Sequence, residues 1–308
     1  MSLARPRALR PGDRLGLCAP AGPVDRDRLA RGATELRSLG FDVQVPEGIG
    51  ERRGFTAGSA RRRTDELLRL FADESVAAIV CARGGAGAGQ LLSHLDPELL
   101  QAHPKPLVGY SDITFLHLYL GRLGVGSLYG PMAATQLADG SYDRASFRHG
   151  LTGEGAPYAT AVDDLAPLRA GQGEGVLRGG CLSILAAAAG TPWALAPGGE
   201  DTILFLEDVD ERPYRIDRML RQLRSSGVFA GVRGVVFGDM PGCAPRMAED
   251  YALEDVLREA LDGLEVPVAL GLSSGHTASP AVTLPLGVRA RLSCGEDARF
   301  EVLEPAVE

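Results

Sequence analysis

The sequence predicts an α/β protein, with an N-terminal domain on a parallel sheet and a smaller C-terminal domain of mixed α and β structure. Three observations carry this. Short apolar runs alternate with segments of helical period through the first half. Those runs are continuously apolar, as in strands covered on both faces. After a polar stretch the alternation resumes, and the chain ends in two segments of paired-strand character.

In order, "RLGLCAP" is a buried strand ending in Pro and Gly. "DRDRLARGATELRSLG" spaces Leu29, Ala33 and Leu36 as a helix does and stops at Gly40. "FDVQVP" alternates as a strand. "RRRTDELLRLFAD" is a helix with Leu67, Leu68, Leu70 and Phe71 on one broad face, and its Arg61–Arg63 run reads as a solvated face. "VAAIVCA" is a buried strand bounded by the glycine loop "RGGAGAG", and "QLLSHL" reads as a helix. "PLVGY" is a strand that runs through Ser111 into the helix "TFLHLYL". Residues 139–174, rich in Gly, Ala, Asp and Pro, read as a connection with some strand. The domains are therefore expected at 1–150 and 151–308. Beyond the connection come a small-residue helix "SILAAAAG", strand "TILFLE", helix "PYRIDRMLRQLRSSG", strand "GVVFG", helix "LEDVLREALDG" and strand "VPVALGL". The paired strands "AVTLPLGVRARLSC" and "ARFEVLEP" follow.

Composition narrows the function. Of 308 residues 45% are apolar and 23% charged, which suffices for a sizeable core. A net charge of −8 argues against nucleic acid as the main partner. The five cysteines are odd in number and widely spaced, with no C-x-x-C, so neither a disulfide framework nor a zinc site is expected. Reduced thiols point to the cytoplasm. No apolar run has the length of a membrane span, and the first residues lack the apolar core of a signal peptide.

In such sheets, sites form at the carboxyl ends of the strands. Ser111 sits there, between Gly109 and Asp112, in the setting of a serine projected from a tight turn. It needs a base. His117 lies six residues on, about 9 Å and 240° around a helix, so it points away. His94 on a short helix, His103 in a loop and His149 in the polar connection have no special setting. His276, on the glycine-flanked "SSGHT" after a strand, can be aimed into a cleft. Among Glu207, Asp208, Asp210 and Glu211, Glu207 is the acid placed by a strand end, and it is the candidate to orient the base. The amides of Asp112 and Gly85 are candidate oxyanion donors. Arg83 is a candidate for a substrate carboxylate, and Gly84 and Tyr110 are further candidate substrate-binding residues.

The blocks "RGGAGAGQLLSHLD", "VGYSDIT", "LFLEDVDERPYRIDRML" and "GHTASPAVTLPLG" together resemble the LD-carboxypeptidase family of serine peptidases. That resemblance implies a Ser111–Glu207–His276 triad and release of terminal D-alanine from murein tetrapeptide in the cytoplasm during cell-wall recycling. It also implies an N-terminal domain like class I glutamine amidotransferases, a homodimer, and no metal or organic cofactor. Two positions depart from the family pattern: Ala86 stands where a tyrosine is usual and Cys181 where asparagine is usual. Both bear on the substrate. An immunity-type peptidase cleaving a peptidyl or aminoacyl nucleotide is the alternative. Further alternatives are a cysteine amidotransferase using Cys181 and a catalytically silent homologue that binds murein peptide.

Overall fold

Amphipathic helices, three of them thirteen residues long among the described residues, alternate with short apolar strands. A computed structural model describes residues 3–154, 159–160, 165–195, 200–247 and 251–308. The chain forms two compact units: Met1–Ala156 with Ser279–Gly287 and Pro305–Glu308, and Pro157–Ala278 with Val288–Glu304.

The first unit runs β1 (Arg14–Cys18), α1 (Arg26–Ser38), β2 (Asp42–Gln44), α2 (Ala60–Ala72), β3 (Val76–Cys81), α3 (Pro97–Ala102), β4 (Leu107–Gly109), α4 (Thr114–Arg122), β5 (Ser127–Tyr129), α5 (Gln136–Asp139) and α6 (Arg144–Thr152). Its sheet has the order β2-β1-β3-β4-β5, all parallel, closed by the antiparallel strand Leu284–Leu286 against β5. The Asp25 carboxylate caps α1 by accepting from the Arg28 amide at 2.9 Å, and Ser59 caps α2 by accepting from Arg62 at 3.2 Å. Leu15, Leu17, Leu36, Val80, Val108 and Phe147 share one core cluster. On α1, a Cβ at Gly32 would stand 1.7 Å from the Ala133 carbonyl oxygen, so only glycine lets the helix pack this closely.

The second unit comprises β6 (Ala159–Thr160), β7 (Ala166–Arg169), β8 (Gly171–Cys181), α7 (Leu182–Ala188), β9 (Thr202–Glu207), α8 (Pro213–Ser225), β10 (Val232–Gly238), α9 (Leu253–Ala260), β11 (Val268–Leu272), β13 (Arg289–Cys294) and β14 (Ala298–Val302), with β12 (Leu284–Leu286) given to the first unit's sheet. Its eight strands lie in the order β6-β14-β13-β8-β9-β10-β11-β7. The central β8, β9, β10 and β11 are parallel, and the remaining pairs are antiparallel.

Several expectations need correction. "QLLSHL" is not a helix but two short 3₁₀ turns, Ala88–Gln90 and Leu92–His94, because the Asp112 carboxylate captures the Ala88 amide. The expected connection holds α6 and the first residues of β8, and parts of it, 155–158 and 161–164, lie outside the described residues. The glycines of "GQGEG" belong to that strand because neighbouring backbone lies against it: a Cβ at Gly173 would stand 1.8 Å from the Arg233 carbonyl oxygen. "AVTLPLGVRARLSC" divides, β12 joining one sheet and β13 the other. Of the apolar face of α2, Leu68 is only half-buried, whereas Arg63, expected in solvent, is 1% exposed. His149 is a buried helix residue whose Nδ1 donates to the Glu154 carbonyl at 2.7 Å.

His117, also buried, bridges α4 to the sheet. A carbonyl only accepts, so Nε2 donates to Gly109 at 2.8 Å and Nδ1 accepts from the Ser127 hydroxyl at 2.8 Å. Burial lowers its pKa to about 4, and the hydrogen bond to Gly109 offsets this only in part. As pH falls, the unfolded chain therefore takes up this proton first. The contribution of the neutral ring is intact above about pH 6.5 and is lost toward pH 4, on the order of 3 kcal/mol in all. Urea unfolding of His117→Gln across pH 4 to 7 should show a shallower loss of stability on acidification than the parent chain.

Candidate active site

Strand β4 ends at Gly109, where a Cβ would stand 3.0 Å from the Ile113 side chain and 3.2 Å from Cys81 Cβ. The bend that follows puts Ser111 at φ +65°, in the left-handed region that non-glycine residues avoid at a cost of about 1–2 kcal/mol. The Ser111 amide donates to the Tyr129 hydroxyl at 3.2 Å, which holds the bend against β5. The turn Ser111–Ile113 then leads into α4.

The glycine loop after β3 lies against this serine. A Cβ at Gly84 would stand 2.9 Å from Ser111 Cβ and 3.0 Å from its Oγ. Gly85 follows at φ +106° and is exposed, as is Ala86. The Gly84 carbonyl accepts from the Gly22 amide at 2.9 Å, tying the loop to the one after β1. Asp112 is 4% exposed, and its carboxylate accepts from the Ala88 amide at 2.7 Å. Burial raises its pKa above the usual carboxylate value. Arg83 is exposed and donates to the Pro23 carbonyl at 3.3 Å. Tyr110 is buried, its ring edge-on to Tyr129 at 6.3 Å between centroids.

In the second unit, β9 ends on Glu207, which has no exposed surface. Its Oε2 accepts both the backbone amide of His276 at 2.9 Å and the ring Nδ1 at 2.8 Å. A Cβ at Gly275 (φ +77°) would stand 2.6 Å from the Glu207 carboxyl carbon, and one at Gly238 would stand 2.7 Å from Glu207 Cβ. The bond to a carboxylate puts the histidine proton on Nδ1 and makes Nε2 the basic nitrogen. Burial opposes charge on His276, but the bond to and charge of Glu207, with Asp208 and Asp210, raise its pKa above the ordinary histidine value. The other acids have separate work. Asp208 accepts from the Ser183 amide at the start of α7 at 2.7 Å, and Glu211 pairs with Arg215 on α8 at 3.3 Å.

Cys181, opposite Glu207 in the β8–β9 register, is buried. That burial, with the charges of Glu207 and Asp208, holds its thiol pKa well above the ordinary value and argues against a thiolate nucleophile. All five cysteines are buried, and none is in a disulfide. Among the described residues no group of three or more His, Cys, Asp or Glu is arranged to hold a metal ion, and no helix is long and apolar enough to cross a membrane.

Sequence reasoning missed Arg63, whose buried guanidinium reaches the glycine loop by donating to the Gly87 carbonyl at 2.8 Å. The signal was present: positions 63, 67 and 70 follow the i, i+4, i+7 spacing of a core-facing stripe.

The family profile described as the LD-carboxypeptidase N-terminal domain matches residues 15–130, and that of the LD-carboxypeptidase C-terminal domain matches 174–292. A probable murein peptide carboxypeptidase of Bacillus subtilis is 35% identical, over 98% of this chain and 95% of its own. The murein tetrapeptide carboxypeptidase of Pseudomonas aeruginosa is 35% identical, over 86% of this chain and 88% of its own. The solved structure of MccF in complex with glutamyl sulfamoyl guanosine superposes with a TM-score of 0.88 at 24% identity, covering 99% of each chain, and this likeness bears on the fold alone. Matched across both of its parts, the chain belongs to the LD-carboxypeptidase family.

Proposed function

We propose that this protein is a serine carboxypeptidase that hydrolyses the L,D amide bond of murein tetrapeptide and releases its terminal D-alanine. The observation that carries the reading is the bond from His276 Nδ1 to the buried carboxylate of Glu207, which leaves Nε2 the basic nitrogen. Ser111 is the nucleophile, at a strained strand-to-helix bend of the kind that projects a hydroxyl. The murein peptide substrate rests on the two relatives so named. Five cysteines without a disulfide support placing the activity in the reducing cytoplasm.

The chemistry runs in two halves. Nε2 of His276 takes the Ser111 proton as Oγ bonds to the carbonyl carbon of the L-configured residue. The amides of Asp112 and Gly85 bind the oxyanion of the tetrahedral intermediate. The intermediate collapses, the C–N bond breaks, and His276 gives its proton to the departing D-alanine amine. Water then attacks the ester, loses a proton to His276, and the serine regains its hydrogen. Glu207 keeps the imidazole in the required tautomer and stabilises its charged form. Arg83 is the cation offered to a substrate carboxylate.

Mass spectrometry of defined tetrapeptides incubated with the protein tests the reading. Release of D-alanine from an L,D-linked peptide, with a D,D-linked one untouched, is expected. Hydrolysis of an aminoacyl sulfamoyl adenylate instead would move the protein to the immunity type. Ser111→Ala and Ser111→Gly should both abolish release. They should differ in thermal unfolding, Ser111→Gly being more stable by about 1 kcal/mol because glycine accepts positive φ. In Glu207→Gln, kcat should fall by about 10²–10⁴. The acid limb of the pH profile should also move down, because burial then acts on His276 without the opposing carboxylate.

A further inference from the structure

Three loops meet at the carboxyl ends of β1, β3 and β4, and one buried side chain of α2 joins two of them. The Arg63 guanidinium donates through Nη1 to the Pro20 carbonyl, in the loop after β1, and to the Gly87 carbonyl at 2.8 Å, in the loop after β3. Nη2 donates to Gln90 Oε1 at 2.6 Å. Its Nε is buried and makes no hydrogen bond among the described residues. Thus every hydrogen bond of this cation with 1% exposure goes to a neutral acceptor, an expensive arrangement that the charge of the nearby Asp112 carboxylate offsets only in part.

The loop it grips has need of external restraint. Gly84, Gly85, Gly87 and Gly89 give it large backbone freedom, and Gly85 and Gly87 adopt φ +106° and +122°. Arg63 fixes Gly87, Asp112 fixes Ala88, and Gly22 fixes Gly84. A Cβ at Gly87 would stand 3.0 Å from Arg63 Nη1, so the guanidinium lies directly under the backbone it holds. We propose that Arg63 is a positioning residue for the reaction: its fork of donors sets the 84–88 backbone beside Ser111 so that the amide of Gly85 meets the oxyanion. This rests on the assignment of Ser111 and Gly85 made above.

Lysine at 63 would keep the charge but lose the fork. In full-length protein, Arg63→Lys should lower kcat per labelled serine about tenfold to a hundredfold. KM should stay within about threefold and the acid limb of the pH profile should not move, since Glu207 and His276 are untouched. The rate of Ser111 labelling by a fluorophosphonate should fall with kcat. Gln90→Ala, which removes an acceptor carried by an exposed residue, should give a smaller loss, about threefold. A merely structural Arg63 would lower the melting temperature and the labelled fraction while leaving kcat per labelled serine unchanged. That result in Arg63→Lys overturns the proposal. If Arg63→Lys does not fold, an unchanged kcat in Gln90→Ala overturns it. A parent protein that neither releases D-alanine nor takes the label at Ser111 overturns the functional reading, and this proposal with it.

Discussion

A carboxylate with no exposed surface cannot stand alone, and that of Glu207 shapes the second unit around it. Two donors from one residue, the amide and the ring of His276, converge on a single oxygen. For this to happen the loop after β11 must come down onto the end of β9. Gly275 permits it, because any side chain there would occupy the space of the carboxyl group. Gly238, at the end of β10, clears the other side. Three parallel strands thus end at one place, and the acid is the object against which the two glycines are fitted. The same carboxylate then decides which ring nitrogen of His276 is basic, so packing and proton chemistry share one cause.

The first unit solves a different problem. Its serine occupies a backbone conformation that its own side chain disfavours, and surrounding contacts hold it there. Tyr129 binds its amide, Gly84 lies against its Cβ, and Asp112 reaches across to the glycine loop. The two positions that depart from the family pattern fall one in each unit. Ala86 is exposed on the loop, and Cys181 lies buried beside Glu207 in the neighbouring strand.

Much of this was legible in the chain. Ser111, Glu207 and His276 each stand at or just after the end of an apolar run, Ser111 and His276 with glycine close by, and strand ends with turn residues leave a clear trace. Most helices declared themselves by period and cap, Asp25 and Ser59 among them. The failures have a common physical form. Arg63 and His149 are buried polar residues that donate to backbone carbonyls, and a carbonyl has no letter in the sequence. Composition made residues 139–174 look like a connection, yet the glycines of β8 are there because adjacent backbone presses on them. The 3₁₀ turns at 88–94 replace a helix because of a tertiary bond from Asp112, eighteen residues and more away, which no local window contains.

Strand β12 pairs with β5 although the segments flanking it in the chain, β11 and β13, lie in the other sheet. During synthesis, the outer edge of β5 therefore has no partner until Leu284–Leu286 leaves the ribosome. At roughly 5–20 residues per second that interval lasts on the order of 10–30 s. Throughout it the nascent chain carries an open, apolar sheet edge of the kind that recruits foreign strands. Its brevity, three residues, is the protection built into it.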